Sequence, residues 1–204
     1  MQLIGMLDSP YVRRVAISLK VLALAFEHRP LSVFRDFDTF AAVNPAVKAP
    51  TLVADDGTVL LDSTLILQYA ASLAGRDLMP VEPAARLKAL SLIGFALAAC
   101  EKTVQIVYET RLRPAERQHA PWLDRVQRQL GGAFAVAEQA VANASPWLFA
   151  DRPLQPDITV AVAWRFARSA IPDVAAVSAE RFPALAALSA RAEALPEFVS
   201  TPLD

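Results

Sequence analysis

The sequence is poor in the residues from which many functional sites are built. Its 204 residues include one cysteine, Cys100, and two histidines, His28 and His119. A single cysteine cannot form a disulfide within the chain, and this set is too small for a zinc site of cysteine and histidine ligands. We therefore expect no internal disulfide and no metal centre. The low cysteine content suits a reducing cytoplasm.

An excess of charge of either sign is also missing. There are 20 Lys and Arg residues against 21 Asp and Glu residues, whereas proteins that bind nucleic acids or anionic membranes carry strongly basic surfaces. The longest uncharged apolar run, residues 89–100, is too short to cross a bilayer as a helix. Arg13 and Arg14 follow the first apolar stretch, which is the wrong order for a signal peptide. We expect small molecules or proteins as partners, and neither nucleic acid nor membrane.

Several common site motifs are absent as well. The sequence has no Gly-x-Gly-x-x-Gly, no Walker loop, no Gly-x-Ser-x-Gly and no His-Glu-x-x-His. The usual sites for dinucleotides, nucleoside triphosphates, α/β-hydrolase chemistry and zinc proteases therefore lack their residues.

The first eighty residues alternate between patterns typical of strands and of helices. Short apolar runs predict strands, and apolar residues at helical spacing predict helices. Asp56-Gly57, between two apolar runs, predicts a hairpin turn. The predicted order is βαβαββα, with elements over residues 2–7, 10–22, 26–33, 36–43, 51–53, 59–61 and 65–73.

A proline-rich break over Met79–Pro83 marks the predicted domain boundary. Beyond it we find no strand pattern, only long apolar-periodic segments separated by prolines, each a plausible start or end of a helix. The sequence therefore predicts an α/β, thioredoxin-like domain over residues 1–80 and an all-α helical domain over residues 84–204.

Three motifs in the first domain have residue types suited to a binding site. Ser9 and Pro10 stand where the first strand meets the first helix. They can simply start the helix, because serine is a good N-cap and proline a good first residue. Alternatively, the Ser9 hydroxyl and the positive end of the helix can stabilise a thiolate.

The second motif runs from Asn44 to Leu52 and contains Ala49-Pro50. Pro50 can merely open a strand. If the Ala49-Pro50 bond is cis, the backbone of Ala49 turns outward, where a peptide ligand can pair with it like an added strand. The residues leave these two interpretations open.

The third motif, Asp62-Ser63, precedes the last helix of this domain. It can serve as an N-cap. As a site, Ser63 and the helix N-terminus would bind a carboxylate, while Asp62 would pair with an ammonium group. A ligand with both groups on one carbon is an α-amino acid. Together the three motifs suit a peptide with a thiol, an extended backbone and an amino-acid head, which describes glutathione.

The order and spacing of these motifs resemble the glutathione S-transferase family, in particular its bacterial serine-type members. That family shows Ser-Pro-Phe/Tyr-Val-Arg, Asn-Pro-x-x-Lys-Val-Pro-x-Leu and Asp/Glu-Ser in the same order. The corresponding residues are Ser9 to Arg13, Asn44 to Leu52 and Asp62-Ser63. The resemblance covers nearly the whole chain and is strongest over residues 1–80.

The resemblance implies a role for each matching position. Ser9 would hydrogen-bond the glutathione sulfur as the catalytic residue, and Ala49, beside Pro50, would pair with the cysteinyl unit. Asp62 and Ser63 would hold the γ-glutamyl group. Lys48 would contact the glycyl carboxylate or the backbone, or else be a solvated surface charge, and Arg35 is a weaker candidate for the same carboxylate.

The helical half carries a further family feature in Pro156-Asp157. Leu154 stands where the family commonly has Ser or Thr, so the reciprocal capping box is incomplete, but Asp157 can still cap its helix. We assign Asp157 a structural role. Trp164, Arg165 and Cys100 are interpreted first as packing residues.

A second-substrate pocket is expected between the domains, where Tyr11 meets a helix from about residue 87 to 111 that carries Tyr108. Phe95, Glu101, Thr103 and Gln105 are on or near that helix, although aromatic residues there are more often core.

The resemblance implies a cytoplasmic, homodimeric detoxification enzyme that takes glutathione as co-substrate, uses no metal and adds the thiol to an apolar electrophile or reduces a peroxide. Serine in place of cysteine at the helix start disfavours thiol transfer through the protein. The alternatives are a non-catalytic glutathione-binding or regulatory protein on the same fold and a glutathione-dependent isomerase.

Overall fold

A computed structural model describes residues 1–144 and 146–203 of the chain. Its contacts divide the molecule into two compact units. The first comprises Met1–Leu78 and Ala194–Asp204, and the second comprises Met79–Glu193.

The first unit is built around a four-stranded mixed sheet with the strand order β2-β1-β3-β4. β1 pairs in parallel with β2 and antiparallel with β3, and β3 pairs antiparallel with β4. The predicted βαβαββα order is confirmed. Its elements are β1 Gln2–Ile4, α1 Pro10–Val21, β2 Glu27–Arg29, α2 Phe37–Ala41, β3 Thr51–Val53, β4 Val59–Leu61 and α3 Ser63–Ala74.

The first two strands and the second helix are shorter than the sequence predicts. β2 ends at Arg29 because Pro30 has no N–H to continue the ladder. The chain then turns through a loop in which the backbone N–H of Ser32 donates to Asp36 at 2.8 Å. The predicted hairpin is confirmed. Gly57 has φ +86°, and the backbone N–H of Thr58 donates to Asp56 at 2.9 Å.

The second unit contains no strand among its described residues, as the sequence predicts. Proline lies in the first turn of each of its main helices, where its missing N–H is not needed. These helices are α4 Pro83–Val107, α5 Ala120–Val141, α6 Gln155–Ala170 and α7 Pro183–Glu193, and a π-helical turn, Tyr108–Leu112, follows α4.

An aromatic cluster forms part of the core of the second unit. Trp164 on α6 lies edge-on to Phe134 on α5, with ring centroids 5.2 Å apart, and edge-on to Phe182 at 5.9 Å. Trp164 is therefore a packing residue, as expected, and Arg165 beside it is exposed. Cys100 on α4 is buried, which agrees with its interpretation as a small core residue.

Asp157 ties the start of α6 to the preceding loop. One carboxylate oxygen accepts the backbone N–H of Leu154, the N-cap residue, and the other accepts that of Leu148, both at 2.9 Å. Because the Leu154 side chain cannot accept a hydrogen bond, half of a capping box is present. Burial raises the pKa of Asp157, while the two backbone hydrogen bonds and the charge of Arg191 act in the opposite direction.

The segment Pro83–Leu112 is 30 residues long and, by length and composition alone, apolar enough to cross a membrane. The sequence predicts no such segment because its longest uncharged apolar run covers only residues 89–100, whereas the helical segment is much longer. α4 packs against both α5 and α6. Core helices of soluble proteins combine such length, composition and packing, so the segment is weak support for a membrane span.

The end of the chain packs with the first unit, although the sequence assigns residues 84–204 to the helical domain. After the short helix α8, Pro196–Val199, the backbone carbonyl of Thr201 accepts a hydrogen bond from Nε of the buried Arg13 at 2.8 Å. The ammonium of Lys20 donates to the carbonyl and the hydroxyl of Ser200. α1 therefore holds the C-terminal segment through side chains that sequence periodicity does not connect.

We predict that Asp157→Asn lowers the free energy of unfolding by about 1–3 kcal/mol, because an amide can accept only one of the two backbone N–H groups through its oxygen. The pKa of Asp157 is raised in the folded state, so the folded protein binds more protons than the unfolded chain above the normal carboxyl range. The contribution of Asp157 to the free energy of unfolding of the wild type therefore falls as pH rises.

The stability difference between wild type and Asp157→Asn should accordingly grow as pH falls from neutral towards the normal carboxyl pKa. Urea denaturation across this pH range measures it. Asp124→Asn, at an exposed position of α5, is the control and should change stability by less than about 0.5 kcal/mol. A difference that stays constant with pH would contradict the raised pKa of Asp157.

Candidate functional site

The strand register brings the three motifs to one edge of the sheet. Ile4 pairs with Thr51, and Thr51 pairs with Leu61. The residues just beyond these pairs are Gly5, Pro50 and Asp62. The loop into α1, the loop that precedes β3 and the start of α3 consequently meet at the same place.

Gly5 allows α1 and the loop before β3 to approach each other closely. It has φ +135°, a backbone conformation that side-chain-bearing residues rarely adopt. A Cβ atom at this position would lie 2.6 Å from Cγ2 of Val12 and 3.0 Å from Cβ of Ala49. The start of α1 and the Ala49-Pro50 pair therefore pack on the same glycine.

Ser9 is the N-cap of α1, and its side chain is partly exposed. The backbone N–H of Val12 approaches its hydroxyl oxygen at 3.4 Å, a long hydrogen bond. An oxygen that accepts from the backbone still has its own proton to donate. Ser9 therefore caps the helix and can also donate to an anion in front of the helix N-terminus, so the two interpretations of Ser9 are compatible.

The Ala49-Pro50 bond is cis, as the binding interpretation of this motif requires. The loop before it is fixed by two buried side chains, Asn44 and Thr51. The amide of Asn44 donates to the Thr51 hydroxyl at 2.8 Å, and this hydroxyl donates to the Lys48 carbonyl at 2.7 Å. The side-chain oxygen Oδ1 of Asn44 accepts a hydrogen bond from the backbone N–H of Ala46 at 3.0 Å. Side-chain hydrogen bonds thus position Ala49 from both sides.

Asp62 has a backbone conformation that is unusual for a residue with a side chain. Its φ is +74°, which carries a cost of about 1–3 kcal/mol and is typical of functional sites. One of its carboxylate oxygens caps α3 by accepting the N–H of Thr64 at 2.8 Å. The other lies 3.9 Å from the Lys48 ammonium, and about half of each side chain is exposed. Asp62 is therefore a cap with one oxygen still open to solvent and ligand.

Ser63, next to Asp62, is buried and accepts a hydrogen bond from Arg14 on α1 at 2.9 Å. Arg14 also contacts the Thr64 hydroxyl at 3.3 Å. The sequence motifs assign no role to Arg14. Its position between the apolar residues Val12 and Val15 indicates a buried site in the sequence, and residues 12–19 of the helix are all buried. A buried arginine needs a partner.

Asn44 is the second residue whose role was missed. In the sequence Asn44 stands out only as the first residue of the second motif, and its partner Thr51 lies at the start of β3. The Asx turn that it makes with Ala46 is a local pattern that an Asn-Pro pair can indicate, but its bond to Thr51 depends on the tertiary fold.

The other candidate residues are more dispersed. Arg35 is exposed on the loop after β2, and its backbone N–H donates to Ser32 at 3.2 Å. Tyr11 belongs to the first unit and Tyr108 to the second, so their shared pocket stays a prediction. On α4, Phe95 and Glu101 are exposed and Thr103 is buried. Gln105 donates to Glu101 at 2.8 Å. Among the described residues no group of three metal-binding side chains occurs.

The assembled site combines complementary chemical groups. The start of α1 offers a hydroxyl donor and a positive helix end, the loop before β3 offers an exposed stretch of backbone, and the start of α3 offers a carboxylate beside a buried hydroxyl. A thiolate, an extended peptide and an α-amino acid head would each find matching groups.

The chain is similar to known members of one family. The model of the glutathione S-transferase N-terminal domain matches residues 3–78. A glutathione S-transferase of Methylobacterium radiotolerans, solved with glutathione sulfonate, is 29% identical, with a TM-score of 0.89, over 98% of this chain and 93% of that chain. The maleylacetoacetate isomerase of Pseudomonas aeruginosa is 25% identical over 161 residues, which cover 74% of this chain and 72% of that protein.

A glutathione transferase family member of Pseudomonas fluorescens Pf-5, solved with S-(propanoic acid)-glutathione, is 30% identical over 98% of each chain, with a TM-score of 0.80. With the matching N-terminal domain and the two-unit architecture, this similarity shows that the chain belongs to the glutathione S-transferase family.

Proposed function

We propose that this protein is a glutathione transferase that binds glutathione along the edge formed by Ser9, Ala49-Pro50 and Asp62-Ser63, and activates its thiol at Ser9. The observation that carries the proposal is the convergence of these three motifs, which are distant in sequence, around Gly5 and the ends of β1, β3 and β4. The glutathione derivatives bound in two of the related structures are consistent with it.

The amino-acid head of glutathione would bind at the start of α3. The carboxylate oxygen of Asp62 that does not cap the helix would accept from the γ-glutamyl ammonium, and Ser63 would donate to the γ-glutamyl carboxylate. The backbone of Ala49 would pair with the cysteinyl unit. Among the described residues no hydrogen bond uses the N–H or C=O of Ala49, so both groups are available.

Lys48 would contact the glycyl carboxylate or the ligand backbone. Its pair with Asp62 is long, at 3.9 Å, and both side chains are about half exposed, so the pair contributes little to stability. Binding of glutathione can therefore exchange this contact for one to the ligand. Arg35 remains a second candidate for the glycyl carboxylate.

The catalytic contribution of Ser9 would be to lower the pKa of the bound thiol. A free thiol with a pKa near 8.5 is only a few per cent ionised at pH 7, and a shift of about two units, roughly 2.7 kcal/mol, makes it mostly thiolate. One hydroxyl donor together with the N-terminus of α1 can supply this amount. The thiolate would then attack an electrophilic carbon of an apolar co-substrate or the oxygen of a peroxide.

Two other functions use the same site. The similarity to maleylacetoacetate isomerase favours a glutathione-dependent isomerase as second candidate, since an activated thiol can add reversibly to a conjugated double bond. A non-catalytic glutathione-binding protein would bind glutathione without lowering the pKa of its thiol. A panel of electrophiles, peroxides and conjugated isomerase substrates, each assayed with glutathione, separates the three.

We also propose that the protein acts in the cytoplasm as a homodimer that detoxifies electrophiles. In α4, residues such as Ala89, Leu92 and Ile93 are buried, while Leu90 and Phe95 remain exposed in the uncharged apolar run of residues 89–100. Exposed apolar side chains of this kind support an interface with a second copy of the chain.

We expect Asp62→Ala to weaken glutathione binding by about 1.5–3 kcal/mol, because it removes the acceptor of the γ-glutamyl ammonium. Loss of the cap alone would lower stability by about 1 kcal/mol and leave affinity unchanged. Calorimetric titration and thermal melts of this variant separate the two effects. Glu82→Ala removes a comparable exposed cap, at the start of α4, and should affect stability alone.

Replacing Ser9 with alanine should raise the pKa of bound glutathione by roughly one to two units, because one charge-assisted hydrogen bond is lost. Conjugation at neutral pH should fall accordingly, while glutathione affinity should change little. The ultraviolet absorbance of the thiolate in the complex, titrated against pH, measures this directly. If the curves of wild type and variant coincide, Ser9 is only a helix cap.

Ser9→Cys is expected to change the reaction type. A thiol at a helix N-terminus is acidified and can form a mixed disulfide with glutathione. Conjugation should drop while thiol-transferase activity appears. Mass spectrometry of the variant after incubation with oxidised glutathione should detect the glutathione adduct, and wild type is the control.

Light scattering should give a mass of twice 22.1 kDa for the wild type at micromolar concentration. If the exposed apolar side of α4 contributes to the interface, Leu90→Glu should weaken the dimer, because a charge would be buried there. Ser91→Glu places the same charge at the adjacent exposed position, which is already polar, and is the control. A wild-type monomer would contradict the proposal.

A further inference from the structure

Arg14 connects α1 to the start of α3 inside the first unit. The side chain is buried, and its Nη1 atom donates to the hydroxyl oxygen of Ser63 at 2.9 Å and to that of Thr64 at 3.3 Å. Forty-nine residues separate Arg14 from Ser63 in the sequence, so this contact exists only in the folded unit.

The chemistry of the contact determines what Ser63 can do. A guanidinium group has five N–H donors and no acceptor, whereas a hydroxyl can both accept and donate one hydrogen bond. Because Ser63 accepts from Arg14, its own proton must point to another acceptor. A carboxylate only accepts. Arg14 therefore presents Ser63 as a donor suited to a carboxylate.

The charge of Arg14 acts in the same direction. It lies beside the N-terminus of α3, a helix of 12 residues, where the helix dipole already favours an anion. Asp62, the neighbouring residue, has the opposite charge and one oxygen not used in the cap. At the start of α3, the hydroxyl donor of Ser63, with the positive charge of Arg14 behind it, therefore lies next to the negatively charged carboxylate of Asp62.

We propose that Arg14 is a positioning residue that, through Ser63, makes this site select ligands with a carboxylate on the carbon that bears the amine. This inference rests on the proposed binding of the γ-glutamyl group of glutathione at Asp62 and Ser63. Arg14 need not touch the ligand, because it acts by orienting the Ser63 hydroxyl and by adding positive charge behind it.

Three peptides test the selection. They are glutathione, 4-carboxybutanoyl-Cys-Gly, which lacks the amine, and 4-aminobutanoyl-Cys-Gly, which lacks the carboxylate. Each is used as its S-methyl derivative, so that ionisation of the thiol at Ser9 does not contribute. Calorimetry gives the dissociation constant of each peptide with wild type, Arg14→Met, Ser63→Ala and the double variant.

Arg14→Met should weaken the two peptides that carry the carboxylate about tenfold or more, and change 4-aminobutanoyl-Cys-Gly by less than about twofold. Ser63→Ala should give the same selective loss. The double variant should bind more weakly than Ser63→Ala, because it also loses the Arg14 charge. Its loss should be smaller than the sum of the two single losses, because the oriented Ser63 hydroxyl is lost only once. An equal loss for all three peptides, or additive losses in the double variant, would overturn the proposal.

Two further variants address the effect of removing a buried arginine. Arg13→Met changes an equally buried arginine of the same helix, which contacts Thr201 and Phe198, and should lower the melting temperature without changing the ratio of the three affinities. If Arg14→Met does not fold, Arg14→Lys keeps the charge with fewer donors and should give a smaller loss for the same two peptides. A loss shared by the third peptide would count against the proposal.

The wild-type measurements separate a failure of the proposed function from a failure of the role assigned to Arg14. If wild type binds none of the peptides, the proposed function fails, and the role of Arg14 fails with it. If wild type binds S-methyl glutathione but Arg14→Met leaves its affinity unchanged, the proposed function stands and only the role of Arg14 is overturned.

Discussion

The pairing of β1 with β3 at the centre of the sheet is the constraint on which the candidate site depends. It places the end of β1 beside the start of β3, and the β3–β4 pair adds the start of α3. Gly5 then lets Val12 and Ala49 come close, since a Cβ atom there would collide with Val12 and crowd Ala49. The groups proposed to face the ligand are therefore held by a hydrogen-bonded sheet, which is more rigid than a site built on loops alone.

The start of α3 illustrates how one short segment can match a zwitterion. Asp62 places a carboxylate at the N-terminus of a helix, where the dipole stabilises negative charge. Arg14 brings a positive charge to the following residue from another helix. An α-amino acid group has the reverse arrangement of charges over the same short distance. Because of this complementarity, a ligand binds with full affinity only when both of its charges are present.

Local patterns in the sequence predicted the order of helices and strands, and together with the family resemblance they indicated the residues proposed to touch glutathione. The Ser9-Pro10 helix start, the Asp56-Gly57 hairpin and the cis bond at Ala49-Pro50 agree with the structure. The first two depend on neighbouring residues, whereas the neighbouring residues left the cis bond as one of two open alternatives. The ends of strands were predicted less accurately. β2, for example, ends at Arg29 because the following residue, Pro30, has no N–H to continue the ladder.

The supporting contacts could not be predicted in the same way. Asn44 bonds to Thr51, and Arg14 bonds to Ser63 across 49 residues. Such pairs follow from how helices and strands pack, and no spacing in the sequence encodes them. The placement of the C-terminal segment on α1 has the same origin, because Arg13 and Lys20 look like ordinary helix cations until their partners are known.

That C-terminal contact has a consequence for biosynthesis. Arg13 leaves the ribosome 188 residues before Thr201, the residue that accepts its hydrogen bond. N-terminal domains generally begin to fold during synthesis, yet this bond between α1 and the C-terminal segment cannot form until Thr201 has been made. The unit that contains the proposed glutathione site is thus finished last, after the whole helical unit has been synthesised.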